Sequence, residues 1–344
     1  MFGIALSIAQ ASCNSVSVVM KSSTVMADFS HGIVIETDSS ILKSLNVVVE
    51  SSNVVSTNGL STSEQASGCS VFASTSAIIN QMNINISNSV ISANAENAIG
   101  VEMDVQSISH SNISVTSDIE SLQGSAVGIG AGGTSNKVAS LTESIIEFDG
   151  TLKSQSTDAD TYGVYVIADG TKPFSIGSTL IHCDVNGTVT SASVSGIGMI
   201  ISSGGESGIL NDVQMVCEGS LTCTQHPCKS RGVMVSGAEG DPMSDIEMRN
   251  VEIVSLANVS GYSAAQVYFE NVKGYWSEVS VYGSGVVIGG RETMVDTSKS
   301  VCGILCNNCC LSTIEKCTFV LDGTVIGEGL VDIFIFQNII LAFS

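Results

Sequence analysis

With 344 residues, 44% of them hydrophobic and 13% charged, the chain can bury a large apolar core while showing few charges to water. Twelve Lys plus Arg against 33 Asp plus Glu leave a net charge of −21. That balance excludes the basic footprint nucleic acid needs and argues against electrostatic docking on anionic membranes.

Strand patterns begin at once. Gly3 is followed by apolar residues one and three positions on, Ile4 and Leu6. Alternation at period two marks a half-buried strand. A second run has Cys13, Val16, Val18 and Met20 as its apolar points, and the two-part unit then recurs along the chain. Its anchors are Gly3, Gly32, Gly68, Gly100, Gly128, Gly163, Gly196, Gly232, Gln266 and Gly303, nine steps over 300 residues, a mean near 33. All twenty residues one and three positions after an anchor are nonpolar, down to Ile304 and Cys306. Later second runs read Leu42, Leu45, Val47, Val49, then Ile79, Met82, Ile84, Ile86, and near the end Ile314, Cys317, Phe319, Leu321. A third apolar point follows at Val25, Val54, Val90, Ile119, Leu152, Leu221 and Val325. Ser, Asn, Asp, Glu and Thr fill the gaps and are expected to form the solvated outer face.

A fixed period in this range signals a repeat architecture. Helical repeats need apolar residues at three- and four-residue spacing, which are missing, and a propeller blade needs four strands where only three fit. The expected fold is all-β, a right-handed parallel β-helix of about ten coils, each rising ~4.8 Å. The anchor-apolar-x-apolar strand and the run after it resemble the right-handed parallel β-helix of the pectin-lyase-like superfamily over nearly the whole chain. Residues 1–328 are expected to form one solenoid that starts mid-repeat, as a fragment of a longer repetitive surface protein would. Residues 329–344 are read as a hydrophobic final strand or truncated tail, too short and polar to insert in a membrane. Asn85, Asn112, Asn186 and Asn258 begin N-x-S/T triplets, compatible with secretion.

Cysteine usage invites three readings. Cys183 and Cys217 share a register position in adjacent units and should stack in the core as small hydrophobes. Cys223 and Cys228 could close a loop disulfide, or with His226 supply three zinc ligands. Cys302 could bridge a turn to Cys309 or Cys310. No cofactor is expected.

The resemblance implies an activity to test, because enzymes of that fold cleave acidic polysaccharides by lyase or hydrolase chemistry. A lyase would need clustered Asp with a basic partner. Asp158 and Asp160 share one loop, and Arg231 comes one unit after Asp184 and Asp212. The paired-carboxylate signatures of the fold's hydrolases are absent. Single histidines such as His31 are read as surface or turn residues. Aromatic residues cluster between Tyr262 and Tyr282. Phe269 and Trp276 fall at inward positions, whereas Tyr165, Tyr268 and Tyr282 should point out and could stack on a ligand.

The expected function is therefore a non-enzymatic extracellular or cell-surface rod, structural, adhesive or recognising a glycan or surface protein through Tyr165, Tyr268 and Tyr282. The alternative is a polysaccharide lyase or glycoside hydrolase using Asp158, Asp160 and Arg231.

Overall fold

The computed structural model of the chain describes residues 1–28, 30–57, 65–74, 76–94, 97–132, 136–168, 173–190, 193–201, 207–224, 228–237, 244–289, 301–327 and 331–337. It is all-β, and its parallel stacked coils form a β-solenoid of about seven turns with a repeat of roughly 34 residues. That is fewer turns than the ten coils expected. The strands at the anchors nevertheless all join one sheet, which has eleven members. In order they are Phe2–Ala9, Ser30–Asp38, Gln65–Ala73, Asn97–Asp104, Ala126–Ala131, Asp160–Ala168, Ser193–Ile201, Lys229–Ser236, Ser263–Glu270, Val301–Asn307 and Val331–Gln337. We call this the spine sheet. A broader sheet of sixteen strands carries the second runs, and a three-stranded strip (Ser12–Cys13, Ile41–Leu42, Ile78–Ile79) lies between.

The register follows the anchors. Ile4, Ile33, Cys69, Val101, Ile129, Val164, Ile197, Val233, Val267 and Ile304 lie opposite one another from strand to strand. All but Ile4 of these are buried. Like residues therefore stack into apolar columns inside the rod. Cys183 and Cys217 are register partners and both are fully buried.

The anchor is small because the chain closes on it. A side chain at Gly196 would strike Cys217 Sγ and, at 2.9 Å, the Gly232 carbonyl oxygen. Gly163 faces Cys183 in the same way. The stacked thiols fill space that the glycines leave.

Two inward assignments differ from expectation. Val90 is exposed and its neighbour Ile91 is buried, because Asn88 takes a left-handed conformation (φ 50°) and the pairing slips between Ser87 and Ser89. A one-residue slip exchanges the faces of a strand. Ile314 is 39% exposed. Its coil lies at the outer end of the broad sheet, where no further described strand covers it.

Serine also does more than solvate. Many coil corners hold a residue of positive φ followed by a buried hydroxyl: Ser51 then Ser52, Asn88 then Ser89, His110 then Ser111, Glu143 then Ser144. Ser52 Oγ accepts the Ser23 N–H at 3.2 Å and donates to the Glu50 carbonyl at 2.9 Å. Ser89 Oγ accepts the Ser52 N–H at 3.2 Å, and Ser117 Oγ the Ser89 N–H at 3.3 Å. The left-handed corner interrupts the strand ladder, and the hydroxyl of the next coil satisfies the amide left over.

Candidate functional site

In a flat strand, residues three apart face opposite sides. The spine strands break that rule. The rings of Tyr162 and Tyr165 lie 5.5 Å apart, and Ser67 Oγ is 2.7 Å from Ser70 Oγ. Each strand must therefore fold between those positions, at its anchor. The residues on either side then face each other across an outer groove. One wall is the line Tyr162, Ser195, Arg231, Ala265 and Cys302. The other is Tyr165, Gly198, Met234, Tyr268 and Leu305. The groove has its own apolar cluster, Ala265, Tyr268, Cys302 and Leu305 with Met234, separate from the main core.

Glycines open room in this groove. A side chain at Gly198 would meet the Tyr162 ring at 2.7 Å, and one at Gly130 would meet Tyr165 at 2.7 Å. Between Tyr162 and Tyr268 lies a cavity of about 320 Å³, lined among others by Asp160, Lys229, Arg231 and Glu270. The structure thus joins two groups that the sequence kept apart: Asp160 and Arg231 from the enzyme alternative, and Tyr268 from the binding set.

The electrostatics are specific. The Arg231 guanidinium is 3% exposed and lies 4.5 Å over the Tyr268 ring, a cation–π contact. Tyr268 Oη donates to Glu270 Oε1 at 2.7 Å. Burial first, then the Glu270 charge, pushes the Tyr268 hydroxyl up to about 12. Tyr162 Oη donates to Asp160 Oδ2 at 3.4 Å, and burial raises its pKa as well. Both phenols stay neutral donors.

Several expectations need correction. Tyr268 points out of the main core but is only 5% exposed, because the folded strand buries it in the groove. Tyr165 is half-buried on the same wall, and burial together with the charges of Glu102 and Asp104 pushes its hydroxyl up to about 12. Tyr282 lies on the broad sheet, half-buried, with Oη 3.4 Å from Asp322 Oδ2, so it is not part of the groove. Asp158 is exposed in a turn, its N–H bonded to Ser156 Oγ at 3.3 Å, and does not line the cavity. Asp184 and Asp212 belong to broad-sheet strands, not to the spine sheet that holds Arg231. Cys223 and Cys228 form the loop disulfide, which removes both thiolates from the zinc reading, and His226 lies outside the described residues. The second disulfide joins Cys306 to Cys309 rather than using Cys302.

His31 is the residue most misjudged by the sequence. It is 3% exposed in the groove, with Nδ1 bonded to Ser67 Oγ and 3.1 Å from Ser70 Oγ. Ser70 Oγ continues to Glu102 Oε2 at 3.2 Å. Burial raises the Glu102 carboxyl, and burial with the N-terminal amine lowers His31 to about 4. The missed residues, His31 and Tyr162, had one available signal: like Arg231, which the sequence did single out, each immediately precedes an anchor, so the three share one wall. A wider hollow of about 770 Å³ on the broad sheet is polar and open, and its Arg249 is already paired with Glu247.

No protein-family model matches the chain, and neither a curated protein nor a solved structure matches it.

Proposed function

We propose that this chain is a non-enzymatic recognition rod of the extracellular space or cell surface. In this reading it is a right-handed parallel β-helix of the pectin-lyase-like superfamily whose outer groove holds a glycan. The observation that carries the reading is the cavity between Tyr162 and Tyr268, where aromatic rings, carboxylates, an exposed lysine and a guanidinium converge. Aromatic faces suit the apolar faces of sugar rings, and the charged side chains suit their hydroxyls. A surface protein is the competing partner at the same groove. The two disulfides support an oxidising compartment. So do Asn85, Asn112, Asn186 and Asn258, all exposed on the broad sheet.

The presence of Asp160 and Arg231 in one cavity favours a second reading, a polysaccharide lyase or glycoside hydrolase. Against it, Arg231 is held by Ser230 and Ser263, and Asp160 is engaged by the hydroxyls of Tyr162 and Ser193. Neither is poised as a free proton acceptor.

A glycan array run beside a polysaccharide digestion screen, with and without calcium, separates these readings. The recognition rod binds without cleaving, and Tyr162→Ala weakens the binding. Cleavage products would move the assignment to the enzyme. Absence of both binding and cleavage would leave a structural or adhesive rod.

A further inference from the structure

Arg231 is bonded and feels the nearby Glu270 charge and the Tyr268 hydroxyl, yet among the described residues no carboxylate pairs with it directly. Nη1 donates to the carbonyls of Ser230 (2.9 Å) and Ser263 (2.7 Å), and Nη2 to Ser263 Oγ (2.9 Å). All three acceptors are neutral. Nε–H has no partner, and among the described residues no carboxylate forms an ion pair with Arg231. The two nearby carboxylates are turned elsewhere. Glu270 Oε1 accepts from Tyr268 Oη at 2.7 Å and Asn307 Nδ2 at 3.2 Å, and Asp160 accepts from Tyr162 and Ser193.

A buried charge without an ion pair is costly. A guanidinium cannot escape that cost by losing its proton at neutral pH. The Tyr268 ring offsets part of it. The position is also unusual for this chain. In a protein of net charge −21, the cavity carries Lys229 and Arg231 against Asp160 and Glu270 and is locally neutral. Lys229 is exposed at the cavity and forms no ion pair among the described residues.

We infer that this cavity is an oxyanion subsite: Arg231 receives the carboxylate or sulfate ester of an acidic glycan lying in the groove, with Lys229 as a second cation at its edge. The inference rests on the glycan reading of the groove. The Nε–H is the donor left without a partner, and guanidinium forks match the two oxygens of such a group. Nε is sealed from solvent, so an oxyanion that bonds to it has to displace part of the cavity wall. The two phenols stay neutral beside it, each with its one proton given to a carboxylate, Glu270 for Tyr268 and Asp160 for Tyr162.

The test is calorimetric titration of the whole chain with glucuronate, a sulfated monosaccharide, and the neutral parent sugar of each. Acetate and inorganic sulfate follow as glycan-free probes. Arg231→Met and Arg231→Lys are measured in parallel. The acidic sugars should bind at least about tenfold more tightly than their neutral parents. Arg231→Met should abolish that preference; because it also takes the donor from the Ser230 and Ser263 acceptors, circular dichroism checks that the variant is folded before binding is read. Arg231→Lys, which keeps the charge and loses the fork, should retain a smaller preference. The arm with the stronger preference identifies carboxylate or sulfate as the group. Neutral and acidic sugars binding equally would overturn the subsite and leave the glycan reading standing. Acetate or sulfate binding that depends on Arg231, with no sugar bound, would keep the oxyanion site and remove the glycan. An acid preference surviving in Arg231→Met would overturn the assignment to Arg231.

Discussion

Gln266 occupies the space that Gly283 leaves open. Around them the arrangement is reversed: Gly128 faces Phe148, Gly163 faces Cys183, Gly196 faces Cys217, and Gly303 faces Leu321. A Cβ on Gly283 would lie 3.1 Å from Leu321 Cδ1 and 3.3 Å from Gln266 Cβ, so the two side chains share that space. The buried amide is satisfied on both ends, its Oε1 by Ser255 Oγ and its Nε2 by donation to the Ala257 carbonyl at 2.7 Å. The repeat thus conserves volume across the coil rather than residue type at the anchor.

Gly283→Leu should therefore destabilise the protein by about 1–3 kcal/mol through overpacking. Adding Gln266→Gly should recover part of that loss, with a coupling of about 1 kcal/mol between the two sites. Recovery stays partial because Ser255 and Ala257 lose their partner. Urea midpoints of the wild type, both single variants and the double variant form the cycle. Additive effects would show that the two residues do not share one space.

The corner hydroxyls carry stability that their polarity conceals. Ser52→Ala strands the Ser23 N–H and should cost about 1–3 kcal/mol. Ser17 is exposed and its Oγ accepts from Asn46 Nδ2 at 3.1 Å on the surface, so Ser17→Ala should stay within about 0.5 kcal/mol. Equal losses in a denaturant titration would contradict the ladder.

Gly198 keeps the groove open for Tyr162. Gly198→Val should push the Tyr162 ring from its place and cut ligand binding about tenfold or more, with a smaller effect on folding. Gly130→Val makes the same clash against Tyr165, whose ring lies outside the cavity lining, and serves as the control. Binding assays on refolded variants with matched circular dichroism decide it. Equal binding loss in both variants would mean general distortion of the groove.

His31 predicts an acid sensitivity. Its pKa is lowered from 6.5 to about 4 by burial and the N-terminal amine. Between those values the unfolded chain binds a proton that the folded chain refuses. Stability contributed by the neutral imidazole is full above pH 6.5 and is lost as pH falls toward 4, by about 3 kcal/mol at most. His31→Asn should remove this part of the slope. Denaturant midpoints at several values from pH 7 to 4 measure it, and identical slopes in both proteins would sink the assignment.

Much of the fold was legible in the sequence because its determinants are local. Period-two alternation and a steady anchor spacing are properties of short stretches, and they placed Ile197, Met199, Cys183 and Cys217 in the core. They failed at Val90, where one left-handed residue, Asn88, slipped the strand by a position. Serine misled for a related reason. Its hydroxyl serves equally in water or beneath a corner, and only the next coil's position decides which.

The groove was decided by tertiary structure alone. Period two places residues three apart on opposite faces, and the fold at each anchor cancels that rule by turning Tyr162 and Tyr165 toward each other. Arg231 and Tyr268 are 37 residues apart and meet only because parallel stacking sets adjacent coils in register. The sequence by itself determined, wherever its period-two pattern ran unbroken, which side chains leave the core. Whether those side chains then reach solvent or close over one another depends on the bend of the strand and on its neighbours, which are long-range packing properties that no local pattern encodes.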